Sequence, residues 1–420
     1  MKIIKNIAWV SYSIDGNYIL DQHKSGKWMY TFSKQNVDFA KRLCEKAINS
    51  GIVLNCKHTN LEVIDQPTGV CCFYIASDDI EGHKCVIRFF IENNLIRKTK
   101  TSRYYNISYK LDDQTRAGEY ADKFTSDMRK IILGTDWWTD CDDAVALRLI
   151  CRAVKDKTVE LLGVGINACM EYSVASLKGF LLADGITDIP IGIDLDAVDY
   201  GGEPPYQKRL AEAFCPSVTN ADAEDAVRLY RRLLAAAKEK VEIVEIGFLQ
   251  VVADLLNSEA DDISDKSGMT LVSEKVSKFW VMAGKWDADG ERENNFSRNP
   301  RARVAGKVFC ERCPVPVTFL GWEVACDVVT GGMLDKNDHL YHALSDFGAE
   351  DGRPSWDPML VYMALIGDEE KAGFRTVRGT ASVDARTGEN FFVPNESGRH
   401  TIVTRVYGSD VYEERINKAL

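Results

Sequence analysis

Downstream of residue 128 the chain alternates short apolar runs with longer amphipathic ones, and this alternation restricts the fold more than any other feature. IILGT (131–135), VELLGVGI (159–166) and IPIGI (189–193) are apolar at nearly every position rather than every second one, as strands covered on both faces are. Between them lie DDAVALRLICRAV (142–154) and EYSVASLKGFLLADG (171–185), whose apolar positions and length fit helices. Further on, AEDAVRLYRRLLAAAKEK (223–240) reads as a helix, and VEIVEIG (241–247), KFWVMAG (278–284) and PVPVTFLG (314–321) read as strands. Strand–helix–strand repetition requires crossover connections. The expected class is α/β, a mostly parallel sheet flanked by helices with a Rossmann-like core.

A smaller α+β domain is expected ahead of it. GKWMYTF (26–32), VCCFYIAS (70–77) and YYNISYKL (104–111) read as strands, and VDFAKRLCEKAINSG (37–51) and IEGHKCVIRFFIENN (80–94) as helices. The polar stretch DDQTRAGEYADKFTSD (112–127) then precedes a fresh start at Met128. The boundary is placed so that residues 1–125 form the smaller domain and 126–420 the larger.

A chain of 420 residues with 45% hydrophobic and 27% charged residues has the balance of a globular protein. A net charge of −11 disfavours nucleic acid or an anionic membrane as partner and suits a small neutral substrate or a cation. The opening MKIIKNIAWVSYSIDGNY has no export-type apolar stretch, so a cytoplasmic location is expected. The twelve cysteines are scattered, several inside apolar runs, and are expected to be reduced core residues.

Asp136, Asp140, Asp142 and Asp143 fall within eight residues where a strand ends and a helix begins. Carboxylates that close repel unless positive charge offsets them. The helix N-terminus supplies part of it, and a hard divalent cation with oxygen ligands would supply the rest. Ligands of parallel sheets also bind at the carboxyl ends of strands. The plainer alternative is that Asp142 and Asp143 cap an exposed helix. An EF-hand loop fits worse, because its spacing and turn glycine are missing.

The segment IILGTDWWTDCDDAVAL (131–147) resembles the opening signature of the inosine-uridine-type nucleoside hydrolases, with a loop two residues longer. LLGVGIN, IVEIGFLQVVADLL, VMAGKWDADGERENNFSRNP and SWDPMLVYMAL follow in the family's order. The resemblance, over about residues 128–420, implies a calcium ion held by Asp136, Asp143, Asp357 and the Ile246 carbonyl. It implies sugar contacts from Asp142, Asn167, Glu293 and Asn295, with Asp136 as general base. The implied reaction is hydrolysis of a ribonucleoside to ribose and base, by a homo-oligomer that engages neither nucleic acid nor membrane.

Three positions depart from the pattern. The family's first aspartate is Gly134 here, where Asp140 in the lengthened loop is a candidate substitute. The histidine that protonates the leaving base in many members is Trp356 here; the resemblance to purine-specific members implies that it stacks on a purine, and the plainer alternative is that it packs in the core. The other family histidine has no counterpart in GIDLDAVDYGGEPPYQ (192–207), where Tyr200 is a candidate lining residue. His339 and His342 are closest in sequence to Asp357, and surface roles suit them better. Cys310 and Cys313 form a lone CxxC, insufficient for zinc. A phosphate-bearing substrate would need a basic patch near the pocket, for which Lys285, Arg292, Arg298 and Arg301 are the candidates.

The amino-terminal stretch resembles small α/β domains of the phosphothreonine-lyase-like or basophilic-leukaemia-expressed-protein-like kind, through Lys-Trp-Met at 27–29 and Tyr-Lys-Leu-Asp at 109–112. Lys57, His58, Tyr109 and Lys110 are candidates for an anion pocket or plain strand residues, and no activity is assigned. For the larger domain the alternatives to a purine nucleoside hydrolase are a catalytically silent nucleoside- or nucleotide-binding module, and a hydrolase of another N-riboside.

Overall fold

The computed structural model describes residues 1–6, 8–14, 25–64, 66–96, 110–111, 128–138 and 140–420. Its contacts divide the chain into two compact units, Met1–Ser126 and Asp127–Leu420.

The first unit is built on strands β1 (Lys2–Lys5), β2 (Trp9–Ser13), β3 (Ser25–Ser33), β4 (Asn55–Thr59), β5 (Thr68–Ala76) and β6 (Lys110–Leu111). They form one antiparallel sheet in the order β1-β2-β4-β5-β3-β6. Helix Val37–Asn49 buries Ala40, Leu43, Cys44, Ala47 and Ile48, a three-four spacing that puts one face on the sheet. Helix Ile80–Glu92 buries Val86, Phe89 and Phe90 in the same core, with Val10, Tyr12 and Phe73 from the sheet. Residues 104–109, including Tyr109, lie outside the described residues. His58 is buried against the Tyr12 hydroxyl, and Lys57 lies over the rings of Trp9 and Tyr74.

The second unit carries strands β7 (Arg129–Thr135), β8 (Val159–Ile166), β9 (Ile191–Ile193), β10 (Glu224–Asp225), β11 (Val241–Glu245), β12 (Val276–Met282), β13 (Val317–Leu320), β14 (Val329–Thr330), β15 (Arg353–Pro354), β16 (Phe374–Val383), β17 (Asn390–Pro394) and β18 (His400–Arg405). Ten of them form a sheet in the order β10-β9-β8-β7-β11-β12-β13-β18-β16-β17. Pairing is parallel from β10 through β18 and antiparallel for β16 and β17. This is the expected α/β class with a mostly parallel sheet flanked by helices. The strand order reverses between β7 and β11, so their carboxyl ends flank the crevice where such sheets bind ligands.

Helices cover both faces. Asp142–Lys155, Ser173–Ala183 and Trp356–Ile366 pack into one core, and Ala226–Ala236, Gln250–Asn257 and Pro300–Arg312 into the other. Gly134, Gly165 and Gly192 lie side by side in register across β7, β8 and β9. A Cβ at Gly192 would fall 2.8 Å from the Cα of Ala226, and one at Gly165 2.7 Å from the Tyr230 ring. Bare glycine is what lets helix Ala226–Ala236 lie that close.

Two local differences from the sequence reading stand out. Glu224 and Asp225, read as the start of a helix, instead pair with Gly192 and Ile193 as strand β10, and Asp225 then caps the helix by accepting from Arg228 N. The antiparallel extension β16–β18 was not foreseen.

Candidate active site

The stretch from β7 into helix Asp142–Lys155 is fixed by two buried tryptophans. Trp137 takes a left-handed backbone, φ 46°, an uncommon conformation for a bulky residue. Its Nε1 donates to Ser176 Oγ at 2.8 Å, and its carbonyl accepts from Gln207 Nε2. Trp138 Nε1 donates to the Gly201 carbonyl, while Tyr206 donates to the Trp138 carbonyl at 2.7 Å. With the loop so held, Asp142 and Asp143 enter the first helical turn, and Asp357 enters the first turn of helix Trp356–Ile366. Two helix N-termini thus face one set of carboxylates, which both favour.

Oxygens of Asp142, Asp143 and Asp357 all lie within 4.8 Å of one another, and all three residues are buried. Asp357 N donates to Asp142 Oδ2 at 3.1 Å. Asp143 Oδ1 accepts from the Thr135 hydroxyl and from Trp137 N. Asp136 stands beside this group rather than in it, and its Oδ1 accepts from Trp138 N at 3.1 Å. The structure therefore gathers Asp142, read from sequence as a sugar contact, with Asp143 and Asp357.

Burial is the main force on these groups. It raises the carboxyls of Asp142, Asp143 and Asp357 well above the usual range, and their mutual repulsion adds to the effect. Burial also pushes Asp136 up to about 8, with the Trp138 N–H opposing and the charges of Asp142, Asp140 and Glu293 reinforcing. Among the described residues no lysine, arginine or histidine forms an ion pair with Asp136, Asp142, Asp143 or Asp357. Buried carboxylates without a cationic partner are costly. Hard oxygen donors in this density suit a divalent cation, and the residues present fit one.

The remaining expected residues surround the group through β8, β11 and β12. Ile246, just past β11, donates its N–H to the Gly134 carbonyl at 2.9 Å, and among the described residues its own carbonyl accepts no backbone N–H outside the regular elements. Asn167 is fixed through Oδ1, which accepts from Phe248 N at 2.9 Å, while its buried Nδ2 has no partner among the described residues. A Cβ at Gly247 would lie 2.3 Å from Asp136 N and 2.6 Å from Asn167 Oδ1, so glycine there permits the close approach. Glu293 accepts from Gly284 N and Asn295 N, both at 2.9 Å, and burial, opposed by these N–H groups, pushes its carboxyl up to about 7. Asn295 commits Nδ2 to the Met282 carbonyl at 2.8 Å.

Trp356 packs against the edge of the core without being enclosed by it. Its ring is partly exposed and stacks on Trp322 with centroids 6.2 Å apart, and its Nε1 donates to the Trp322 carbonyl. Tyr200 is core: it stacks on Phe248 at 4.0 Å and donates to Gln250 Oε1. His339 is held by Asp184 and Asp338, and His342 by the edge of Tyr341. Neither touches the carboxylate group. Cys310 and Cys313 are buried thiols whose burial raises their pKa, that of Cys313 to about 12.

Two features escaped the sequence reading. Asp140 does not stand in for the carboxylate absent at Gly134; it forms a bidentate pair with Arg353, at 2.9 and 2.6 Å. The space beside Gly134 is taken by Glu245 on the neighbouring strand, since a Cβ at Gly134 would fall 1.9 Å from Glu245 Oε2. Glu245 is fully buried, accepts from the Tyr230 hydroxyl at 3.0 Å, and burial pushes its carboxyl up to about 8. An acidic residue in the otherwise apolar run IVEIG was the available signal.

No known protein-family profile and no curated protein sequence matches the chain. Solved structures do. An inosine-uridine-preferring nucleoside hydrolase from Bacillus anthracis matches at 16% identity and TM-score 0.50, over 70% of this chain and 100% of that one. A purine-preferring ribonucleoside hydrolase from Gardnerella vaginalis matches at 16% and 0.52, over 69% and 98%. The type III effector protein XopQ, solved with adenosine diphosphate ribose, matches at 15% and 0.51, over 73% and 96%. At such identities the likeness is one of architecture, and the chain has the fold of the nucleoside hydrolases.

Proposed function

We propose that residues 127–420 hydrolyse the N-glycosidic bond of a ribonucleoside, releasing ribose and free base. The observation that carries this reading is the buried group Asp142, Asp143 and Asp357, with Asp136 beside it, at the switch point of a nucleoside-hydrolase fold. Asp136, Asp143, Asp357 and the Ile246 carbonyl would hold a calcium ion, with Asp142 at its edge. When bound, that ion would offset the carboxylate charge and make a water more acidic.

The chain's own residues do the rest. Asp136 takes a proton from the attacking water, whose oxygen bonds to the anomeric carbon as the bond to the base nitrogen breaks. Asn167 Nδ2 donates to a sugar hydroxyl, and Asp142, Glu293 and Asn295 hold the remaining hydroxyls. Their carboxylate and amide oxygens stabilise the positive charge that develops on the sugar. Trp356 packs against the departing base, which favours purines.

A second reading, an N-riboside bearing a phosphate, is favoured by Arg298. Lys285 pairs with Asp287 and Glu291, Arg292 with Glu389, and Arg301 with Asp194 and Asp199. Arg298 alone of the four has no carboxylate partner among the described residues; it lies 4.4 Å from the Trp138 ring centroid and donates to the Tyr200 carbonyl. The adenosine diphosphate ribose bound by XopQ is a ligand of this class.

The test is release of reducing sugar from a panel of purine and pyrimidine nucleosides and adenosine diphosphate ribose, with calcium or a chelator. Chelator-sensitive turnover that Asp136→Ala abolishes is the expected result. Turnover insensitive to both would remove the assignment.

A further inference from the structure

A hydrolase with tryptophan at position 356 still has to stabilise its leaving base. None of the five described histidines serves: His58 and His83 belong to the first unit, His339 and His342 are engaged as above, and His400 is buried against Phe319. The cation that does reach this corner is Arg353. Its guanidinium carbon lies 5.6 Å from the Trp356 ring centroid and 5.1 Å from that of Phe347.

Everything around Arg353 is fixed. Nε and Nη2 are bound bidentately by Asp140, which the lengthened loop delivers. Its backbone lies in β15, paired with β14. Three residues separate Arg353 from Asp357: Ser355 Oγ donates to the Arg353 carbonyl and meets Thr330 Oγ1 at 2.6 Å, and Asp357 N donates to Asp142 Oδ2. Among the described residues Nη1 donates to nothing. The partly exposed guanidinium thus keeps one donor nitrogen without a protein partner beside the Trp356 ring.

We infer that Arg353 is the leaving-group residue of the proposed hydrolase, stabilising the departing base as an anion through Nη1, with Asp140 as its positioning residue. This inference rests on the hydrolase reading above. An arginine keeps its proton, so the pair of electrons from the broken carbon–nitrogen bond stays on the base. The base nitrogen or an oxo group conjugated to it accepts the Nη1 hydrogen bond, and the base takes its proton from solvent after departure. The proton gained by Asp136 from water returns to solvent, so the sum is water plus N-riboside to ribose plus base. The substrate class narrows accordingly. Bases with an acidic ring N–H and conjugated oxo groups, the oxopurines first, leave as stabilised anions; adenine, a poorer anion, is a slower substrate.

The test compares inosine with para-nitrophenyl riboside, whose leaving group needs no assistance, using the full chain with calcium. Arg353→Gln is expected to lower kcat/KM for inosine about 100-fold, the cost of removing one preorganised donor, and to leave para-nitrophenyl riboside within about fivefold of wild type. Arg353→Lys and Asp140→Asn should fall between, all rates being compared at saturating calcium. Equal losses on both substrates, or no loss on inosine, would overturn the role of Arg353 while leaving the hydrolase standing. A wild-type chain that binds calcium but cleaves neither riboside would overturn the hydrolase reading and this inference with it.

Discussion

Glu245 and Gly134 are the residue pair on which the strand ends at the site depend. Gly134 has no side chain because the Glu245 carboxylate fills that space, and Glu245 is anchored by Tyr230. Gly134→Ala is expected to destabilise the protein by about 1–3 kcal/mol, the usual cost of overpacking a fixed site. In Gly134→Ala/Glu245→Ala the two losses should not add, with a coupling of about 1 kcal/mol or more in urea unfolding; strictly additive losses would show that the two do not compete for space. At this scale motif order brought Asp143 and Asp357 to one site although more than 200 positions separate them, but it read Asp142 as a sugar contact and Asp136 as their partner, whereas the structure gathers Asp142 with the two. It was uninformative about Asp140 and Arg353, because a loop carboxylate and its distant arginine partner carry no local spacing signal.

Among the elements, β18 holds a titratable group whose behaviour follows chiefly from burial. His400 accepts from Ala381 N at 2.8 Å through Nδ1, and burial, aided by the Arg399 charge, pushes its pKa from 6.5 down to about 4. The folded state keeps the ring neutral in that window, whereas the unfolded chain takes up a proton below pH 6.5. Its contribution is therefore complete above pH 6.5 and is lost as pH falls toward 4, by about 3 kcal/mol. The stability of His400→Asn should fall less steeply across that interval by one proton, measured by urea unfolding at several pH values; parallel slopes would place the ring in solvent. The parallel strands were readable because their runs are apolar on both faces. β16 was not, since its exposed positions Arg375, Thr376, Val377 and Arg378 interrupt the apolar pattern, and Glu224–Asp225 has no strand propensity of its own.

For the whole molecule, no helix among the described residues is long and apolar enough to cross a membrane, and the ten-stranded sheet organises the second unit around a charged centre. On the proposed function, a cation bound among the buried carboxylates would stabilise the fold. Calcium at one hundred times its dissociation constant should stabilise the protein by about 2.7 kcal/mol, read as a rise in melting temperature that Asp357→Ala abolishes; an equal rise in the variant would put the ion elsewhere. Gross architecture was legible because strand–helix alternation admits few topologies. The substrate was less so, because the residues proposed to meet it, Arg298 and Arg353, come from separate segments with no shared motif.

The most direct measurement is ribose release from inosine by chelator-stripped protein as calcium is added back, run beside Asp143→Asn. Turnover that appears with one bound calcium per chain, and is absent from Asp143→Asn, is the predicted result. Calcium bound at that stoichiometry without ribose release from any riboside in the panel would contradict the account and leave a binding protein on a hydrolase fold.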